Sequence, residues 1–140
     1  MATKLRVLKT LFFVALSLLL SQCSDEKPRD YVQEGIDLTN QQNYDGAMQS
    51  FSKAIEINPK NAQAHYGLGG IYNYLKDYDK AQKAFETVIR LDPTHYNGYY
   101  SLGYTLEMMG RKEEAEKNFA RSRKLKKQLD DIINKNSEPH

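Results

Sequence analysis

The sequence lacks the features that most often mark a disulfide-stabilised domain, a zinc site or a nucleic-acid binder. It contains a single cysteine, Cys23, which excludes an intramolecular disulfide and a cysteine-rich zinc site. Its 20 basic and 18 acidic residues leave a net charge of +2, without the strong basic excess of a dedicated nucleic-acid-binding protein. Because 40% of its 140 residues are hydrophobic and 27% are charged, the chain can bury a core, and it has the size of one domain.

Groups that could perform chemistry are equally sparse. The histidines are His65, His95 and His140, and no group of His, Asp and Glu has the spacing of metal ligands. The glycine-rich stretch 67–70 lies inside a predicted helix rather than after a strand, so it does not match a phosphate-binding loop. No arrangement of Ser, Cys and His matches a nucleophile motif. We therefore expect no catalytic residue, no metal and no cofactor.

The first 22 residues have the composition of an export signal. Lys4, Arg6 and Lys9 precede the apolar run 11–20, LFFVALSLLL. A basic segment followed by about ten apolar residues is typical of a secretory signal peptide. The run is shorter than the roughly 20 residues that a membrane-spanning helix needs. We therefore predict a signal peptide over residues 1–22.

The only cysteine follows this segment directly. Leu20-Ser21-Gln22-Cys23 resembles a bacterial lipobox, although Gln22 stands where Gly, Ala or Ser is usual. The resemblance implies cleavage before Cys23, a lipid anchor on that cysteine, and residues 23–27 as a linker. Ser24 is similar to the following residue of lipoproteins sorted to the outer membrane, which implies a bacterial envelope protein that faces the periplasm. The alternative is an ordinary signal peptide cut nearby, with Cys23 left as a free thiol.

From residue 28 onward the sequence repeats every 34 residues. Three columns are identical in all three copies, namely Gly35, Gly69 and Gly103, then Ala47, Ala81 and Ala115, then Phe51, Phe85 and Phe119. Pro59 pairs with Pro93 at the same spacing. This period and pattern resemble the tetratricopeptide repeat family. The resemblance implies an all-α fold, a short right-handed solenoid of three helix hairpins, with repeats at 28–61, 62–95 and 96–129.

The repeated columns also have a physical meaning of their own. Glycine inside a helix costs about 1 kcal/mol relative to alanine, so we expect the three glycines to lie opposite the small alanines and allow close helix approach. The phenylalanines are suited to filling the space toward the next hairpin. We predict helices at about 30–41, 45–57, 63–75, 79–91, 96–109 and 112–125 or beyond, with Asn61 and Thr94 as N-caps.

The third repeat departs from the pattern at its end. Arg123 stands where the first two repeats have Ile55 and Ile89, and Lys127 stands where they have proline. A terminal repeat needs a polar outer face because no further repeat covers it. We expect the last helix to run on to about residue 134, with 130–140 as helix end and tail. An apolar stripe on this helix is predicted to cap the third pair, formed by Leu125, Leu129 and Ile132 or Ile133.

A binding surface follows from the resemblance. In tetratricopeptide stacks, the first helices of the pairs line a concave groove that holds an extended peptide or a helix of another protein. The positions here that match this groove are Val32, Ile36, Asn40, Gln63, Tyr66, Asn73, Tyr74, Asn97, Tyr100, Tyr104, Glu107 and Met108. Tyrosine gives large contact area and Asn and Gln give adaptable hydrogen bonds. We therefore predict a non-catalytic adaptor that binds an envelope protein or an extended peptide.

Several alternatives stay open at this point. The tyrosines could simply cover the groove. The apolar stripe on the last helix could pair two copies of the chain. The basic run Arg121 to Lys127 is expected to be a solvated cap, and its alternative is a site for nucleic acid or an anionic surface. A chaperone-adaptor role is not expected, because the matching positions carry no cation that could pair with a terminal carboxylate.

Overall fold

The computed structural model describes residues 29–137, which form six α-helices and no strand. The helices are α1 (Tyr31–Asn40), α2 (Tyr44–Ile57), α3 (Ala62–Tyr74), α4 (Tyr78–Leu91), α5 (Tyr96–Met108) and α6 (Lys112–Ser137). The predicted signal peptide, Cys23, the linker 23–27 and residues 138–140 lie outside the described residues. Within residues 29–137, no helix combines the length and the apolar character that crossing a membrane requires.

The six helices form three hairpins, α1–α2, α3–α4 and α5–α6, which stack in chain order. Helices α3 and α5 each pack against both helices of the preceding hairpin, so α1, α3 and α5 lie side by side. We call the surface shared by these three helices the first-helix face. The prediction of an all-α stack of helix hairpins is confirmed. The predicted ends of α1 to α5 agree with the structure to within one residue.

The three turns inside the hairpins share one backbone arrangement. Gln42, Lys76 and Gly110 each adopt a left-handed φ, of 60°, 61° and 78°. In the first turn, the N–H groups of residues 42 and 43 donate to the carbonyls of Thr39 and Leu38, both at 2.9 Å. This is the Schellman motif, which satisfies the last carbonyls of a helix. Glycine adopts this conformation freely, whereas the side chains at positions 42 and 76 make it costly.

The helix starts bear out one of the two predicted N-caps. Asn61 caps α3 as predicted, because its Oδ1 accepts the Ala64 N–H at 3.0 Å. The prediction for Thr94 was wrong. His95 caps α5 instead, its Nδ1 accepting the Gly98 N–H at 2.9 Å. Thr94 donates its hydroxyl and its N–H to Asp92, and these hydrogen bonds lower the pKa of the Asp92 carboxyl.

The core lies between successive hairpins and is built around the repeated phenylalanines. Phe51 and Phe85 are almost fully buried, in clusters that join residues of neighbouring hairpins. The glycines make room for these rings: a Cβ on Gly35 would lie 2.6 Å from Cε1 of Phe51. The close approach was therefore predicted correctly, but the nearest atoms belong to phenylalanine rings rather than to the alanines. Phe119 is only half-buried, since no described hairpin follows the third.

Helix α6 continues far beyond its partner. It has 26 residues against 13 in α5, so at about 1.5 Å per residue its second half projects past the hairpin. Leu125 is buried and closes the third pair, but the rest of the predicted stripe has little to pack against. Leu129, Ile132 and Ile133 are 42%, 58% and 55% exposed. The predicted capping stripe was therefore wrong beyond Leu125.

Candidate functional site

Helices α1 and α3 enclose a pocket of about 320 Å³ on the first-helix face. Four of the predicted groove residues line it: Ile36, Asn40, Gln63 and Tyr66. The pocket also includes Gly70, which the four-residue spacing from Tyr66 to Tyr74 places on the predicted groove. Its other lining residues, Thr39, Gly67, Ile71 and part of Phe51, were not predicted as site residues. A signal for one of them was available, because Thr39 lies 34 residues before Asn73 and 68 before Glu107. Val32 belongs with the core instead, packed against the cluster around Phe51.

Two predicted residues join α3 to α5. The hydroxyl of Ser101 donates to the Tyr66 hydroxyl at 3.3 Å, and that of Thr105 donates to Oδ1 of Asn73 at 3.0 Å. The Tyr66 ring also packs edge-on against Phe85, with centroids 5.6 Å apart. Tyr66 and Asn73 therefore hold the second and third hairpins together. Contact between these two residues and a ligand stays a prediction.

Three tyrosine side chains on α3 and α5 are exposed. Tyr74, Tyr100 and Tyr104 are 63%, 59% and 42% exposed. Tyr74 packs against Tyr44, with ring centroids 4.4 Å apart, and burial together with a hydrogen bond to Tyr74 raises the pKa of the Tyr44 hydroxyl. Tyr100 rests against Phe119 at 5.4 Å. Glu107 and Met108 are exposed near the end of α5.

The first-helix face carries little charge. Among the twelve predicted groove residues only Glu107 is charged. Arg29, beside the start of α1, is within 3.9 Å of Glu34, and both side chains are solvated. Over residues 29–137, no cluster of three or more His, Cys, Asp and Glu could hold a metal ion. The face is therefore suited to recognition through apolar contact and neutral hydrogen bonds.

A second, larger cleft lies beside α6. It has a volume of about 650 Å³ and separates the start of α5 from the projecting part of α6. Its apolar surface comes from Tyr96, Leu125, Leu129 and Ile132. Asn97, predicted as a groove residue, lines this cleft. The structure thus brings Ile36, Asn40, Gln63 and Tyr66 together in one pocket and places Asn97 beside α6.

Comparisons with known proteins point to one family. A TPR repeat profile matches residues 35–73, and two tetratricopeptide repeat profiles match 62–95 and 84–117. No curated protein is detectably similar to the chain in sequence.

Solved structures share the fold. A crystal structure of MamA is 28% identical with a TM-score of 0.69, and the match covers 72% of this chain and 59% of that one. The MSR-1 form of MamA is 26% identical with a TM-score of 0.66, covering 81% and 66%. The second TPR of Spaghetti (RPAP3), bound to an HSP90 peptide, has a TM-score of 0.66 at 20% identity, covering 68% and 83%. The chain thus spans little more than half of the first MamA structure.

Proposed function

Because the chain belongs to the tetratricopeptide repeat family, we propose that it is a non-catalytic adaptor whose first-helix face binds an extended segment of a partner protein. The exposed side chains of Tyr100 and Tyr104 carry this proposal. Aromatic side chains left in water along one helix face mark a surface that a partner covers. Tyrosine is well suited to such contacts, because it offers large contact area and loses little conformational freedom.

The charge of the face narrows the class of partner. The RPAP3 domain, which has the same fold, holds an HSP90 peptide that ends in two glutamates, valine and aspartate. Here the first-helix face has no lysine or arginine among the twelve predicted residues, so an acidic terminus would find no counter-charge. We therefore expect the partner segment to be uncharged. Recognition then depends on apolar contact and on neutral hydrogen bonds.

Photo-crosslinking in the native cell tests the adaptor role. A photoreactive residue at Tyr104 is expected to capture a specific partner protein, identified by mass spectrometry. The same residue at Ile57, which is 67% exposed on α2 and lies off the first-helix face, is the matched control. The combined substitution of Tyr100 and Tyr104 by alanine should weaken binding of the captured partner at least about tenfold, with unchanged helicity. Identical captures from both positions would refute the proposal.

We also propose that the adaptor is held in a bacterial envelope by a lipid on Cys23. This rests on the basic and apolar residues 1–20 and on the resemblance of residues 20–23 to a lipobox. Acyl chains contribute about 0.8 kcal/mol per buried methylene, so two or more chains would make attachment effectively permanent. The five residues 24–28 would keep the first hairpin within about 20 Å of the bilayer. Labelling with a radioactive fatty acid should be lost in Cys23→Ser, and equal labelling would exclude the anchor.

A second candidate function is self-association through α6. The exposed side chains of Leu129, Ile132 and Ile133 favour it, because apolar residues three and four apart form a stripe that a second helix can cover. Sedimentation over a range of concentrations tests it. A monomer–dimer equilibrium that Ile132→Lys abolishes would support self-association, and a monomer at all concentrations would exclude it.

A further inference from the structure

Gly70 differs from every other helical glycine of the chain. The helices contain six other glycines, and a Cβ on any of these six would come within 3 Å of a neighbouring side chain. At Gly70 a Cβ would meet nothing within 4 Å, and the residue is exposed in the interior of α3. Glycine in a helix interior is destabilising relative to alanine. Packing against Phe51, Phe85, Val88 or Phe119 therefore accounts for five of these glycines, and the sixth, Gly46, lies beside its own helix cap Asn43. Neither reason applies to Gly70.

The missing side chain at Gly70 keeps the 320 Å³ pocket open. The pocket lies between α1 and α3, with Ile36 and Tyr66 among its apolar side chains and the ring of Phe51 at Gly67. We call it the Gly70 socket. We propose that the Gly70 socket binds one large apolar side chain, aromatic or aliphatic, from an uncharged segment of the partner protein. This inference rests on the proposed function of the first-helix face.

The charge of the socket determines the class of its occupant. No Asp, Glu, Lys or Arg lines it, so a charged side chain would lose its hydration without gaining a counter-charge. An apolar side chain has no such hydration to lose, and its burial is favourable. Asn40, Thr39 and Gln63 at the socket can hydrogen-bond to the peptide groups on either side of the anchor. Its volume is at the lower end of the about 300–1,000 Å³ of small-ligand pockets, which suits one side chain.

The test fills the socket without disturbing the fold. Peptides are selected from a phage-displayed library of random dodecapeptides on the full chain in mild detergent, and the best one is synthesised. Its affinity is then measured for the wild type, Gly70→Ala and Gly70→Leu. Alanine and leucine both favour helix, but only leucine occupies the socket. The matched peptide change replaces its apolar anchor residue by alanine or by lysine.

We expect Gly70→Leu to weaken binding about 10- to 100-fold, the worth of burying one large apolar side chain, and Gly70→Ala to change it less than about threefold. Replacing the anchor should weaken binding similarly for the wild type and have little effect in Gly70→Leu. Selected peptides that lose affinity with Tyr100→Ala and Tyr104→Ala but not with Gly70→Leu would overturn the socket and leave the adaptor role intact. Selection of peptides whose anchor residue is charged would also overturn it. Failure to select any peptide would overturn both proposals.

Discussion

Gly67 and Gly70 lie one helical turn apart in α3, and replacing each by alanine distinguishes the effect of helix propensity on stability from the effect of packing. Gly67 and Gly70 both lie inside the helix, so replacing either by alanine gains about 1 kcal/mol of helix propensity. Their surroundings differ. A Cβ at Gly67 would lie 2.6 Å from Cε2 of Phe51, whereas a Cβ at Gly70 would lie in open space. The two substitutions are therefore matched in chemistry and differ in a single respect.

The Phe51 ring cannot move aside at Gly67. It is 2% exposed, and on its other side a Cβ on Gly35 would already be 2.6 Å away. The ring thus fills the space between α1 and α3 that the two glycines Gly35 and Gly67 leave free. Overpacking of such a site costs about 1–3 kcal/mol. Gly67→Ala should therefore change stability by about 0 to −2 kcal/mol, once the gain in helix propensity is included.

Urea denaturation followed by circular dichroism measures both variants. Gly70→Ala should be more stable than the wild type by about 1 kcal/mol, a rise of roughly 4–6 °C in Tm for a domain of this size. The two variants should differ by about 1–3 kcal/mol. Equal stabilisation by both substitutions would show that the Phe51 ring adapts, and would refute the reasoning that the glycines are required by the phenylalanines.

Three further outcomes follow from the helix ends. Gln42→Gly should stabilise the chain by about 1 kcal/mol in urea denaturation, because it relieves a left-handed conformation; a loss of stability would contradict this. The pKa of the Asp92 carboxyl is lowered in the folded chain, so its ionised form stabilises the fold at pH values above the unfolded pKa. This stabilisation is lost as the pH falls through the lower, folded pKa. Thr94→Val should therefore reduce Tm more at pH 7 than at pH 2, and an equal reduction at both would exclude the link. A chain ending at residue 127 keeps Leu125 and should retain its Tm, and a large decrease would mean that the projecting part of α6 stabilises the stack.

The six helices and their pairing into hairpins could be predicted because their determinants are local. Helices end where proline or a left-handed turn residue interrupts them, and the 34-residue period relates each hairpin to the next. The error at Thr94 has a local cause as well. Both Thr94 and His95 can cap a helix start, and the hydrogen bonds that Asp92 accepts from Thr94 leave His95 to do so.

Whether each groove side chain is packed or exposed could not be predicted in the same way. Tyr66 and Tyr100 occupy the same column of the repeat, yet Tyr66 is held by Phe85 and Ser101 and Tyr100 is largely exposed. The difference arises because a hairpin follows the second repeat, and in the described residues none follows the third. A period describes what the copies share and contains no information on which copy is last.

The amino-acid sequence alone determined that three helix hairpins form and that their first helices share one face. Turns, caps and helical periodicity decide this because they act over a few residues. Only the tertiary structure decided that Gly67 accommodates a ring while Gly70 leaves a socket open, and that the stripe beyond Leu125 stays uncovered. Those properties depend on the distances between helices that are remote in the chain. Such distances are set by the packing of whole side chains against one another.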